Sequence, residues 1–253
     1  MRTSAVAAIG IGVLLLAACT WDGRNTAIDD TAISQSFASV RVTNDSGSVK
    51  IHTGPLSAVH RTIRYDKDKP GSTSRVENNT LIIESCPVRH CAIDYDVTVP
   101  VGTKVDGKID SGSVELDGVA AVNLAIDSGS TTVRRVSGKV NVNASSGSID
   151  VQDVGDAVTV RSDSGRVRLA DVRAAVTVEA QSGSVNVGVG GSPQDVRVKA
   201  DSGNIMVSVP RSDYRVRAQT DSGHVQNGIG DQPSGGHLLD LHTDSGNITV
   251  NYA

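Results

Sequence analysis

Aromatic side chains are nearly missing from this 253-residue sequence, which has one Trp, one Phe and four Tyr, 2% of the chain. A broad globular core normally uses more of them, because each buries a large apolar area. Trp21, Phe37, Tyr65, Tyr95, Tyr214 and Tyr252 are also too dispersed to line one sugar-stacking groove. Three cysteines are too few for a disulfide scaffold. The apolar stretch of residues 5–16, even when continued by Ala17-Ala18-Cys19, is shorter than the roughly 18–20 residues of a stable membrane-spanning helix. A net charge of −4 gives no electrostatic case for nucleic acid. No Ser-His-Asp spacing, phosphate loop or paired-carboxylate cleft can be picked out.

What the chain has instead is repetition. A Ser-Gly step returns about every eighteen residues, at Ser111-Gly112, Ser128-Gly129, Ser146-Gly147, Ser164-Gly165, Ser182-Gly183, Ser202-Gly203, Ser222-Gly223 and Ser245-Gly246. Ser46-Gly47 reads as an earlier outlier. A fixed period of this size marks a solenoid or an array. After each Gly comes an apolar, polar, apolar triplet, such as Val114-Glu115-Leu116, Ile149-Asp150-Val151, Val167-Arg168-Leu169 and Val185-Asn186-Val187; Asn227 interrupts the second apolar column. That alternation is the period of a strand with one buried face. A second alternating run precedes the next Ser-Gly, as in Val140/Val142/Ala144 and Val158/Val160. Each copy is therefore strand, bend, strand, bend. Two such strands cannot bury their own inner face, but stacking equivalent strands coil on coil closes a continuous core. The expected fold is all-β, a single-stranded parallel β-helix (solenoid). It is expected to have about 18–20 residues per coil and to be right-handed, as crossovers between parallel strands generally are.

Residues 1–19 read as an address. Arg2 gives a positive start, the apolar run follows, and the segment ends in Leu16-Ala17-Ala18-Cys19. This resembles a bacterial lipobox, in which the Cys thiol takes diacylglycerol; the bland alternative is an ordinary secretory signal that contains Cys19. The expectation is a lipoprotein signal peptide, palmitate-bearing lipid on Cys19, and a protein anchored at the extracytoplasmic face of the cell membrane. Residues 20–35 are polar and irregular, and are expected to be a flexible tether. Residues 36–253 are expected to be the solenoid domain, with 36–100 as an irregular β-rich cap with the first coils and 101–253 as the regular repeats. Cys86 and Cys91 favour a disulfide in an exported chain. A metal site that recruits His90 would have too few ligands. No metal and no cofactor are expected.

Several residues invite chemistry. The residue before Ser-Gly is Asp110, Asp127, Ser145, Asp163, Gln181, Asp201, Asp221 and Asp244. Stacked carboxylates could bind Ca²⁺, or each Asp could accept backbone N–H bonds at its corner as an Asx turn. The Asx turn is the simpler expectation. Ser and Gly recur in every full copy, which fits a geometric role better than a catalytic one. Gly permits a backbone angle closed to other residues, and Ser can pass hydrogen bonds between coils. His224, His237, Asp240 and His242 fall close in sequence and raise a weak metal-site reading against scattered loop histidines. Asp150 and Arg168 share an outward column on adjacent coils and are expected to form an ion pair. The last strand, about residues 247–252, is expected to leave an open edge.

Asp96-Val97-Thr98-Val99-Pro100, then Gly102-Thr103, then the chain of Ser-Gly units, resembles the bacterial adhesin-like β-solenoid family of cell-envelope proteins. The resemblance covers residues 36–253 and implies an architecture without supplying catalytic residues. The expected function is a non-catalytic, adhesin-like lipoprotein, a surface binding or scaffold rod. Its expected partners are the membrane, through Cys19, and an envelope protein or glycan. Two other readings stand beside it. A carbohydrate-active β-helix enzyme, lyase or hydrolase, would need a charged cluster in an aromatic-lined groove. An accessory to envelope-stress signalling would bind a membrane protein.

Overall fold

The computed structural model describes residues 25–253, among which there is no helix. Residues 1–24, with Cys19 and the segment that resembles a lipobox, lie outside the described residues. The first strands are β1 (Asn25–Ala32), β2 (Ser39–Asn44), β3 (Val49–Thr53), β4 (Ala58–Tyr65), β5 (Ser74–Glu77), β6 (Thr80–Ile83) and β7 (Ala92–Val99). Long strands follow: β8 (Lys104–Asp117), β9 (Ala121–Val136), β10 (Val140–Val154) and β11 (Val158–Val172). The remainder come as pairs: β12 (Val176–Ser182) with β13 (Val185–Val189), β14 (Val196–Ser202) with β15 (Ile205–Val209), β16 (Tyr214–Ser222) with β17 (Val225–Asn227), and β18 (His237–Ser245) with β19 (Ile248–Tyr252).

Strand β10 shows how the residues dictate a coil. Val140, Val142 and Ala144 are buried, the chain turns at Ser146-Gly147, and Ile149 and Val151 are buried in turn. A second bend at Asp153 brings Val154 inward. Parallel pairing sets each of these beside its equivalents, as in Leu124–Val142–Val160 and Val133–Val151–Leu169. The interior is thus a set of aliphatic stacks, and each buried Val, Leu or Ile contributes roughly 1.5–3 kcal/mol. The fold is a parallel β-solenoid, and its narrow core explains the scarcity of aromatics. At the Ser-Gly corner, Gly147 has φ 122° and a Cβ there would lie 1.8 Å from the Gly129 carbonyl oxygen. The coils therefore meet backbone to backbone where only glycine fits. The second bend is turned by left-handed Arg135, Asp153 and Asp171, φ 52°, 57° and 52°. The Ser-Gly alignment does not reveal them.

Both ends of the solenoid depart from chain order. Ser46-Gly47 is no outlier: β2 and β3 form a coil in register with β8, with Val40 beside Val105 and Ile51 beside Leu116. The strands on its far side, β6 and β7, come later in the sequence. The same happens at the carboxyl end. Strands β18 and β19 pair with β14 and β15, and the earlier pair β16 and β17 lies outermost upon them. The last strand is accordingly not the open edge expected of it, since Ile248 faces Val225 on β17. Asn227 breaks the apolar column because no further coil stacks on it, and β17 is exposed throughout. Part of the true outer edge is closed by the loop before β18. Gln232 N–H donates to the Tyr214 carbonyl at 2.8 Å, and Val216 N–H donates to Asp231 Oδ1 at 2.9 Å.

The amino-terminal cap is antiparallel: β1 pairs with β4, β4 with β7, and β5 with β6. Residues 25–32, expected within the tether, are therefore an edge strand. Their sequence has no apolar alternation; the ladder and charge hold them instead. The Asp29 carboxylate meets Arg61 at 2.7 Å and Lys69 at 2.6 Å, and Asp30 meets His60 at 2.6 Å. Arg61 is buried and also donates to Gly71 O and Thr73 Oγ1 at 2.9 and 2.8 Å. A Cys86–Cys91 disulfide, Cα–Cα 5.9 Å, closes the loop between β6 and β7.

Burial pushes the Asp29 carboxyl up, but Lys69 and Arg61 outweigh it and hold it below the usual carboxylate range. Asp94 behaves alike: burial raises it, while Arg64 at 2.5 Å and the Ser48 N–H and hydroxyl pull it lower. Both groups bind protons more weakly in the folded than in the unfolded chain. Their stabilisation is whole at neutral pH and is lost as pH falls below about 4, through the depressed folded values. The melting temperature should drop steeply from about pH 4 to about pH 2, with amide exchange rising first in β1. Asp29→Asn should flatten that drop. An identical acid transition in the variant would show that this cluster does not hold the strand.

Candidate binding groove

The groove follows from strand parity. In each coil the residue before Ser and the one two places earlier point to the same outward face. Register stacks the first set as Asp110, Asp127, Ser145, Asp163, Gln181 and Asp201, and the second as Lys108, Ala125, Asn143, Arg161, Glu179 and Lys199. One wall is acidic and the other carries the cations. Between them runs a trough whose floor column is Ile109, Ile126, Ala144, Ser162 and Ala180. It has one segment of about 530 Å³ from Lys108 to Ser145 and another of about 400 Å³ from Ser162 to Asp201, and Arg161 and Asp163 line both. At about 4.8 Å per coil, its six rungs span about 24 Å along the rod.

Its charges are largely free. Asp110, Asp163 and Asp201 make no side-chain hydrogen bond or ion pair among the described residues, nor do Lys108 and Lys199. Arg161 pairs with Glu179 at 2.9 Å, and the Ser145 hydroxyl donates to Asp127 at 3.2 Å. The Asx-turn expectation is corrected here, for a clear reason. Corner donors bond to an adjacent coil instead: Ser111 N–H to Asp45 O at 3.1 Å, Gly183 N–H to Ser202 O at 2.9 Å, and Gly203 N–H to Ser245 O at 2.8 Å. With those donors satisfied, the carboxylates are surplus to the fold. The Ser hydroxyl does bridge coils at Ser111 and Ser128, donating to Asp45 O and Asp110 O at 2.9 and 3.4 Å. Asn204 and Asn247 do so further on, accepting from the N–H groups of Asn247 and His224. Neighbouring carboxylates in the column repel by roughly 0.9 kcal/mol per pair in water. The opposing cations and the uncharged Ser145 and Gln181 moderate that repulsion.

No three His, Cys, Asp or Glu side chains among the described residues are placed to hold a metal. The histidines of the carboxyl-terminal coils are drawn apart. His237 meets Asp195 at 3.4 Å, His242 meets Asp244 at 3.0 Å, and Asp240 meets Arg197 at 3.1 Å. His237 and Asp240 are an odd number of residues apart on one strand, so alternation turns them to opposite faces. Asp150 and Arg168 are register partners, yet they form no ion pair. The outer pairs lie elsewhere, as Arg134 with Glu115, Arg135 with Asp117, and Arg173 with Asp153. Lys108, Arg161 and Lys199 were not singled out from sequence as a set. Their shared parity with the Asp column is the signal that identifies them.

The family model described as Toastrack DUF4097 matches residues 27–190 and again 77–251. Two overlapping matches are what a periodic chain produces. Among solved structures, the chain is similar to a candidate adhesin of Bacteroides fragilis, with 13% identity and a TM-score of 0.47, over 90% of this chain and 97% of that one. It is also similar to a candidate adhesin of Parabacteroides merdae, with 10% identity and a TM-score of 0.38, over 90% and 96% of the two chains. A candidate cell adhesion protein of Clostridium sporogenes follows at 11% identity and a TM-score of 0.30, over 91% and 100%. Identities this low transfer no ligand and no activity. No curated protein matches the chain.

Proposed function

From the premise that this chain belongs to the Toastrack DUF4097 family, we propose that it is a non-catalytic, adhesin-like lipoprotein of the cell envelope. Anchored through Cys19 at the extracytoplasmic face of the membrane, it presents its groove to a linear, charged surface glycan. One observation carries this reading: a trough along the rod lined by carboxylates and ammonium groups that the fold does not use. Unpaired charge on a rigid, repeating surface is poised to bind a repeating ligand. The absence of aromatics from the lining points to recognition by charge and hydrogen bonding rather than by ring stacking.

Binding of the purified rod to a glycan array tests this. The triple variant Lys108→Glu, Arg161→Glu, Lys199→Glu should weaken the best glycan by at least about tenfold, a loss near 1.4 kcal/mol. Its melting temperature should fall by no more than a few degrees, because the lost Arg161–Glu179 pair and the added repulsion are solvent-exposed and weak. Binding should also fall with added salt. Undiminished binding by the variant, or cleavage of any glycan by the rod, would overturn the reading. Labelling of cells with palmitate, lost in Cys19→Ser, tests the anchor separately.

A further inference from the structure

Three of the large apolar side chains left exposed belong to the amino-terminal end of the rod. Ile28 is 63% exposed on β1, Leu56 is 79% exposed in the loop from β3 to β4, and Val101 is 85% exposed in the loop from β7 to β8. Leu56 and Val101 project from one corner. Gly54 N–H donates to the Val99 carbonyl at 2.9 Å, Ile33 N–H donates to Ser57 O at 2.9 Å, and register places Ala32 beside Ala58 and Ala58 beside Thr98. Pro55 and Pro100 stiffen the two tips. Exposed apolar residues on rigid loops are costly in water and favourable at a lipid interface.

Where the chain leaves the described residues selects the occupant. Residues 20–24 alone separate Cys19 from Asn25, a covalent reach of about 20 Å at full extension. Strand β1 spans about 25 Å from Asn25 to the Leu56 corner. A lipid on Cys19 therefore holds this end of the rod, and no other, against the bilayer. We infer that the rod leans on the membrane at two points, the Cys19 lipid at one end of β1 and the Leu56–Val101 corner at the other, with both tips inserted into the headgroup–acyl boundary. This rests on the anchor proposed above, and it makes the rod's orientation a property of the fold. A tether of the length expected from sequence would have let the rod swing freely; the antiparallel β1 removes most of that slack.

The test uses the lipid-bearing full chain in phosphatidylethanolamine–phosphatidylglycerol vesicles that contain brominated lipid, in a Trp21→Phe background. Leu56→Trp and Val101→Trp should be quenched several-fold more than Met206→Trp, a control at an exposed position on β15. Circular dichroism checks that each variant is folded. If the chain floats with the vesicles and the three variants are quenched alike, the leaning contact is wrong and the anchor stands. If the chain neither floats nor takes up palmitate, the anchor is wrong and the contact falls with it.

Discussion

Gly165→Ala should cost more than 4–5 kcal/mol and leave the protein insoluble, or melting some 10–20 °C lower, in the range where single substitutions are exceptional. The reason is a collision between backbones. A Cβ on Gly165 would stand 1.7 Å from the Gly147 carbonyl oxygen and 2.8 Å from its carbon, on a residue whose φ is 129°. Neither atom belongs to a side chain that can rotate away. Relief requires the coils to part at the corner by more than an ångström. That breaks the parallel ladder toward Gly147 and crowds the next contact, at Gly183, whose own Cβ would lie 1.7 Å from the Gly165 oxygen. Because each coil is held only by its neighbours, the damage need not stay local, and melting in two steps is expected if any of the chain folds. Gly71→Ala is the control. Nothing lies within 4 Å of its added Cβ, so it should be neutral or stabilising by up to about 1 kcal/mol. A Gly165→Ala protein that melts within a few degrees of the parent would refute backbone-to-backbone packing at the corner.

Ending the chain after Gly236 should be nearly as damaging, although it removes only the last strands. In a solenoid wound in simple chain order, losing the final coil trims the fringe. Here it empties a layer between β14/β15 and β16/β17. Leu239, Leu241, Ile248 and Val250 are fully buried, and together they represent roughly 6–12 kcal/mol of apolar burial as an upper bound. Strands β16 and β17 lose their only ladder, and β14 and β15 become an exposed edge prone to aggregation. Amide exchange checks the layer order in the intact protein. Strand β18 should exchange more slowly than β16, although β18 lies nearer the chain end. The reverse ranking would mean that the layers follow the sequence after all. A truncated protein with full protection in β16 would mean that β16 can dock on β14 unaided.

The order of the carboxyl-terminal layers is not legible in the repeat. Val196 can pair as well with Val216 as with Leu239, because the apolar alternation is the same in every coil. A repeat that makes the fold legible makes its layer order degenerate. What selects the order is the cover each layer receives. Leu239 and Leu241 need a neighbour on both sides, while Gln226 and Asn227 tolerate water on one. At the other end, Ser46-Gly47 looked misplaced only because the coil that carries it is separated from its neighbour β8 by the antiparallel cap. Strand β1 had no legible signal: Asn25–Ala32 is polar and unpatterned, and it becomes a strand through β4 and through Asp29 between Arg61 and Lys69. The Asp150–Arg168 register was readable and its ion pair was not formed, because register sets which residues are neighbours and not where long side chains settle.

The amino-acid sequence alone determined the coil: its period, its inward aliphatic columns, its glycine corner and the face on which each polar residue stands. These are consequences of alternation and of backbone sterics, both local and repeated in every copy. Tertiary structure decided which coil lies beside which, that residues 25–32 close the amino-terminal end, and that Asp110, Asp163 and Asp201 of the groove are free. Each of those depends on where hydrogen-bond donors and apolar surfaces find partners far away in the chain. That is a competition among near-equivalent neighbours, and only the complete stack resolves it.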